Sequence, residues 1–301
     1  MPTPSQLLDV RDRERVAKLQ LLAREVVDGL TVGMHSSPHK GFSIEFKEHR
    51  PYVRGDEVRS LDWKLYAKTD RLYIRQYEEE TNLRCILLVD QSGSMAYAGS
   101  RSAGVSKHEF SVRLAACLAT MLIGQQDAVG AVTFDTSVRR FVPARSKPTH
   151  LHNLLECFAS SRAGGETSLA SVLTEMHPKL DRRGLLVLIS DCFDDVTSLL
   201  KTLTFFRHAR NEVLLFQVSD QDELDFPFRD KTQFRSLEQP ARNRLVDAKR
   251  LRDDYLEKVT AFKNELSAGC ARLHVDLVPC TTDQSPSQVL SSYLGARGRA
   301  K

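Results

Sequence analysis

The stretch LRCILLVDQSGSM, residues 83–95, decides the fold. An apolar run from Cys85 to Val89 ends abruptly in Asp90. A run of this kind, bounded by turn residues, is the pattern of a central strand covered on both faces. Ser92 and Ser94 follow at alternate positions, with Gly93 between them. An acid and two hydroxyls therefore stand just past the carboxyl end of a strand, where open α/β sheets hold their ligands. Hard oxygen donors in this number suit Mg²⁺, which binds through few protein groups and keeps several waters. Mn²⁺ and Ca²⁺ are the alternatives.

The pattern continues downstream. Ser106 and Glu109 make a capping box for a helix reaching about Ile123, with Leu114, Leu118, Met121 and Leu122 on its inner face. Residues 128–134 and 138–142 read as strands, and a helix follows Pro148 to about Phe158. In SRAGGETSLASVLTEM (161–176) a glycine turn, read as a close backbone approach at Gly164 and Gly165, leads into a helix with Thr167 at its mouth. GLLVLIS (184–190) is a second fully apolar strand, and it too ends in an acid, Asp191. A helix over about 195–209 and the strand EVLLFQVS (212–219) come next. Residues 220–246 break the rhythm as a surface insertion. Then come a charged helix over about 245–267, a strand at 271–279, a short helix over about 286–294, and a basic tail, GARGRAK, expected to fray. Strands alternating with helices predict a doubly wound, mostly parallel α/β sheet flanked by helices, covering residues 81–295.

Upstream, Leu8, Leu19, Leu22, Val26 and Leu30 recur at helical spacing, which predicts a helix over 5–30 capped by Ser5. Residues 33–70 are rich in Gly, Pro, Ser and His, and read as a loop-rich extension that completes residues 1–80. His35, His39 and His49 share no helical face, so exposed or hydrogen-bonded histidines fit better than a metal site. The Arg54-Gly55-Asp56 tripeptide is read as a turn. Trp63 is expected to bury itself against the main domain. Residues 71–79 alternate as a half-exposed strand.

The whole chain of 301 residues is 41% hydrophobic and 27% charged, with a net charge of +4. These values are ordinary for a globular protein and point to no nucleic-acid partner. No apolar run approaches the ~20 residues of a membrane span, and no export signal is visible. The six cysteines form no close pair, so reduced, buried thiols and a cytoplasmic location are expected.

In a parallel sheet Asp90 and Asp191 share one edge, and the Gly-Gly-Glu-Thr loop can bring Thr167 alongside. Asp-x-Ser-x-Ser, a Thr after a glycine turn and a later strand-ending Asp resemble the metal-ion-dependent adhesion site of von Willebrand factor A-like domains. The resemblance implies that Ser92 and Ser94 bind Mg²⁺ directly, and Thr167 directly or through water. Asp90 and Asp191 act through water. It further implies one open position for a carboxylate, Asp or Glu, from a protein partner. A second resemblance rests on YVRGDEVRSLDWKLYAKTDRLYIRQYEEE (52–80), FRSLEQPARNR (234–244) and RLRDDYLEKV (250–259). These are similar to the bacterial domain of unknown function 58 family. That likeness implies work beside a MoxR-type AAA+ ATPase, in an adaptor or chaperone-like role.

The expected function is a non-enzymatic binding module. The alternatives are a metal-dependent phosphoester hydrolase at the same ion and a structural protein with a vestigial site. The chain has no Asp-x-Asp at the first strand, no glycine-rich Lys-Ser/Thr phosphate loop, no Gly-x-Ser-x-Gly elbow, and no histidine at a strand end. A bound ion alone does not make an enzyme.

Overall fold

The computed structural model describes residues 10–34, 46–51, 63–77, 83–180, 183–238 and 243–299. In chain order these are helix α1 (Val10–Met34), β1 (Phe46–Pro51), α2 (Trp63–Thr69), β2 (Tyr73–Tyr77), β3 (Arg84–Asp90), α3 (Lys107–Gly124), β4 (Ala128–Phe134), β5 (Val138–Arg145), α4 (His150–Ala159) and α5 (Leu169–Met176). They continue through β6 (Leu185–Ser190), α6 (Val196–His208), β7 (Glu212–Ser219), α7 (Gln221–Asp225), β8 (Lys231–Arg235), β9 (Asn243–Asp247), α8 (Ala248–Arg272), β10 (Asp276–Thr281) and α9 (Pro286–Arg299). Two compact units result, one of residues 1–36 with 83–301, the other of residues 37–82.

The larger unit is built on a six-stranded sheet in the order β10-β7-β6-β3-β4-β5. All neighbours are parallel except β5, which pairs antiparallel with β4 at one edge. This is the doubly wound α/β arrangement expected from the strand–helix alternation. The apolar runs have a direct physical reason. Along β3, Cys85, Leu87 and Val89 enter one core cluster, while Ile86 and Leu88 enter the other. Strands β6 and β7 divide in the same way, because successive side chains point to opposite faces. A leucine buried on either face contributes about 1.5–3 kcal/mol relative to exposure.

Helices α1, α3, α4 and α9 cover one face and α5, α6 and α8 the other. Helix α1 buries Val16, Leu19, Ala23 and Leu30 and half-buries Leu22 and Val26, as its periodicity predicts; Leu8 and Ser5 lie outside the described residues. Because α1 packs on α3, α4 and α9, the first 80 residues divide between the two units. On α3, Ser106 Oγ accepts from the Glu109 amide, and Leu114, Leu118 and Leu122 are buried.

Four local expectations change, and the insertion gains a defined structure. The insertion after β7 is ordered, as α7 followed by the antiparallel β8–β9 hairpin. Helix α8 runs through Arg272, so the last strand begins only at Asp276. Leu273 and Val275, whose alternation suggested strand, close the helix instead: His274 turns left-handed at φ 52° and the Val275 amide bonds back to the Cys270 carbonyl. Helix α9 continues to Arg299, into the stretch expected to fray, with Arg297 paired to Glu212. In the smaller unit, β1 and β2 pair antiparallel where loop was expected upstream of residue 70. There Trp63, expected to be buried, is 58% exposed and meets Tyr66 edge-on. His35, His39 and Arg54-Gly55-Asp56 lie outside the described residues.

His108, buried on α3, is a pH-sensitive point in this packing. Ser161 Oγ donates to the Phe158 carbonyl, so the His108 Nε2–H donates to Ser161 Oγ at 2.9 Å. Burial, helped by the charges of Arg15 and Arg162, pushes its pKa down to about 4. Between pH 6.5 and 4 the unfolded chain therefore binds more protons at this residue than the folded one, and stability falls as pH falls. The expected loss at His108 is at most about 3 kcal/mol. Urea unfolding at pH 7 and pH 4.5, wild type against His108→Gln, checks this; equal losses in both would refute it.

Candidate metal centre

Strands β3 and β6 are parallel neighbours, with Leu88 opposite Leu188 and Val89 opposite Ile189. The chain leaves β3 toward β4 on one side and returns to β6 on the other. Their carboxyl ends thus flank the point where strand order reverses, the usual ligand crevice of such sheets. Asp90 ends β3 and Asp191 follows β6, both buried.

Asp90 is held from two directions. Its Oδ1 accepts from the Ser92 amide at 2.8 Å, and its Oδ2 accepts from the Ser190 hydroxyl at 2.6 Å. Burial raises its pKa to about 7, with the Asp191 charge adding to the rise and the Ser190 and Ser92 hydrogen bonds opposing it. With both oxygens engaged, Asp90 is placed to act on a cation through water rather than by direct contact.

The two serine hydroxyls are 3.1 Å apart. Adjacent ligands on an Mg²⁺ octahedron with ~2.1 Å bonds stand about 3.0 Å apart, so the pair fits one edge of such a shell. The third hydroxyl is brought in by main-chain pairing. The Gly93 amide donates to the Gly165 carbonyl, and the Gly164 amide donates to the Gln91 carbonyl, each at 2.8 Å. This two-bond zipper lays the glycine turn against the serine loop. Its key residue is Gly165, at φ +85°, a left-handed backbone that suits glycine. The two bonds are the close backbone approach expected there, although Gly164 faces open space and its lack of a side chain is not what permits it.

Thr167 Oγ1 is buried and has no hydrogen-bond partner. Buried hydroxyls nearly always have one, so this atom calls for an explanation. An unpaired oxygen on a turn bonded to the loop that carries two hydroxyls at coordination spacing suits a hard cation. The surrounding charge agrees: Asp90, Asp191, Glu223 and Glu238 cluster here, and among the described residues Lys107 is buried with them while Arg235 lines the cavity beside Ser94. The donor set therefore fits Mg²⁺ at Ser92, Ser94 and Thr167, with Asp90 and Asp191 behind them.

Three residues of this centre escape sequence reading. Lys107, at the first turn of α3, is fully buried, with its Nζ 2.9 Å from Asp191 Oδ2 and 2.6 Å from Glu223 Oε1. It also lies 5.0 Å from the centre of the Phe193 ring. Burial works against its charge, but Asp191 and Glu223 outweigh burial and raise its pKa above the ordinary lysine value. Glu223 itself is raised, by burial first, with Lys107 opposing. The remaining oxygen of Asp191, Oδ1, accepts from the Phe193 amide at 3.1 Å. The third residue, Glu238, sits on the insertion beside the serine loop. Asp194 caps α5, accepting from the Leu169 amide at 2.8 Å.

Among solved structures the chain is similar to BatB from Bacteroides thetaiotaomicron, at 14% identity, a TM-score of 0.47, and coverage of 72% of this chain and 99% of that one. It is also similar to an aerotolerance-related membrane protein from Bacteroides fragilis, at 16% identity, a TM-score of 0.41, and coverage of 63% and 96%. No helix among the described residues is long and apolar enough to cross a membrane. Relatives that match along nearly all of this chain occur in mycobacteria. The uncharacterized proteins Mb1516 of Mycobacterium bovis and Rv1480 of Mycobacterium tuberculosis are each 26% identical over 305 residues, covering 98% of this chain and 94% of theirs. The profile described as "Protein of unknown function DUF58" matches residues 48–265, most of the sheet, the hairpin and the first two thirds of α8, and the chain belongs to that family.

Proposed function

We propose that this protein is a non-enzymatic adaptor that binds a protein partner through a metal-ion-dependent adhesion site. The observation that carries this reading is the hydroxyl set: Ser92 and Ser94 at 3.1 Å, and a buried Thr167 Oγ1 with no partner of its own on the turn bonded to their loop. Ser92, Ser94 and Thr167 would hold Mg²⁺ (or Mn²⁺ or Ca²⁺), and Asp90 and Asp191 would orient its waters. A bound ion supplies a position at which an Asp or Glu of the partner is recognised. Asp90 keeps the serine loop in place through the Ser92 amide, and the Gly93–Gly165 bond holds Thr167 beside it.

The proposed partner is an AAA+ ATPase of the MoxR type or a client of one, with the pair serving assembly or maturation of a protein complex. This part rests on the family resemblance of the stretches at 52–80, 234–244 and 250–259. A cytoplasmic site of action agrees with six free, buried cysteines.

The test is capture of partners from native cell extract in Mg²⁺ and in EDTA, with wild type, Asp90→Asn and Ser94→Ala as bait. The expected result is a partner retained only by wild type in Mg²⁺. Partners indifferent to both metal and substitution would refute the adhesion reading. Phosphoester turnover by the purified protein, lost in Asp90→Asn, would replace it with the hydrolase.

A further inference from the structure

The β8–β9 hairpin has no role in the fold of the sheet, yet it is firmly anchored. Phe234, near the end of β8, stacks on Phe226 at 5.9 Å and meets Phe228 edge-on at 5.3 Å. Phe226 in turn packs on Tyr255 of α8 at 4.7 Å. From this aromatic root the chain runs out as Arg235-Ser236-Leu237-Glu238 and crosses directly over the serine loop. A Cβ at Gly93 would collide with the Leu237 carbonyl oxygen and lie only 3.0 Å from the Glu238 Cα. Glycine between the two serines is thus what allows this strap to lie on them. Ser94, Tyr97 and Glu223 share a cavity of about 260 Å³ with Arg235 and Glu238 of the strap.

The geometry points to Glu238 as the chain's own carboxylate for the cation at Ser92, Ser94 and Thr167, carried there by the strap. No hydrogen bond or ion pair to another described residue occupies the Glu238 carboxylate. Burial, then the charges of Asp191, Glu166 and Asp194, raise its pKa, with Lys107 opposing. With Lys107 already paired to Asp191 and Glu223, a divalent ion would supply this acid with a further countercharge. The inference rests on the proposed metal site and extends it: a partner's Asp or Glu reaches the ion only by displacing Glu238. The strap is then the element that sets which partner binds. It must present a carboxylate together with a surface that accommodates the displaced hairpin.

The test uses Mn²⁺ as the probe on the full chain. Its affinity is measured by titration, and its bound waters are counted by water-proton relaxation, in wild type, Glu238→Gln, Glu238→Ala and Glu166→Gln. Glu238→Gln is expected to weaken Mn²⁺ by about tenfold or more and to add one exchangeable water, and Glu238→Ala to do the same. Glu166→Gln, which removes a charge from the same rim, is expected to have a smaller effect on affinity and none on the water count. Wild-type binding that is unchanged in both Glu238 variants would overturn the assignment while leaving the metal site standing. Equal losses in Glu166→Gln and Glu238→Gln with constant water would overturn it too, making Glu238 one more rim charge. A wild type that binds no Mn²⁺ would refute the metal site and this inference together.

Discussion

Lys107→Met is expected to lower the unfolding free energy by about 3–5 kcal/mol, the usual result of removing one member of a buried ion pair. The cause is specific. Asp191 and Glu223 both lean on one ammonium that is fully out of solvent. Methionine fills a similar volume but leaves two carboxylates buried without a countercharge. Direct replacement of water by packing is therefore not the issue; the orphaned charge is. The loss should shrink toward pH 5, where the raised Glu223 can take up a proton in place of the missing lysine. It should shrink as well with added Mg²⁺, since a divalent ion at the serines replaces part of the lost positive charge. Urea midpoints at pH 7.5 and pH 5, with and without Mg²⁺, read all three effects. A midpoint unchanged from wild type at pH 7.5 would refute the triad's role in stability.

Asp90→Asn is expected to act in the opposite direction in the absence of metal. The folded Asp90 has a pKa of about 7, against 3.8 for the free group. A raised carboxylate binds more protons folded than unfolded between these values, so stability declines as pH rises through them. Above pH 7 the cost is on the order of 4 kcal/mol. Asparagine removes that cost but also alters one hydrogen bond. Ser190 Oγ donates to Asp90 Oδ2 and already accepts from the Cys192 amide. Facing an amide NH₂ it must turn its proton elsewhere, a loss of about 1 kcal/mol. In EDTA at pH 8 the variant should therefore gain about 3 kcal/mol, and the gain should vanish toward pH 4. In Mg²⁺ the order reverses. Wild type at a thousand times its Kd gains about 4.1 kcal/mol from binding, and the variant gains little. Thermal unfolding in EDTA and in Mg²⁺ tests both signs; a variant less stable than wild type in EDTA at pH 8 would count against the cost of the buried charge. The two substitutions together describe a centre that trades stability for a site.

The strands of the main sheet, most helices and the five oxygen-bearing residues proposed for the centre are legible along the chain, each for a local reason. A strand covered on both faces needs apolar residues at every position, and β3, β6 and β7 show just that before polar residues resume. Helix α1 shows its buried stripe at helical spacing. Asp90 and Asp191 stand out because an acid after such a run cannot be part of the core packing, and Ser92, Ser94 and Thr167 lie within a few residues of a glycine. Where local pattern misled, two structures competed for one stretch. Residues 271–275 alternate like a strand, but α8 buries Cys270 and Val275 by running on and turning left-handed at His274.

Lys107, Glu223 and Glu238 gave no such sign. Next to a capping serine, lysine reads as an exposed first-turn residue, and the two glutamates sit in a charged insertion. What makes Lys107 a buried counter-ion is the packing of the first turn of α3 over the end of β6, with α7 closing on it from residue 223. The sequence by itself determined where strands end and which of those ends carry acids and hydroxyls, because hydrophobic periodicity and turn chemistry act over a few neighbouring residues. Tertiary structure alone decided which charges share a dry space, that one lysine answers two of them, and that the hairpin lays Glu238 across Gly93. Those outcomes depend on desolvation and on contacts between distant residues, 84 positions for Lys107 with Asp191 and 116 for Lys107 with Glu223, and neither is written in any local stretch of the chain.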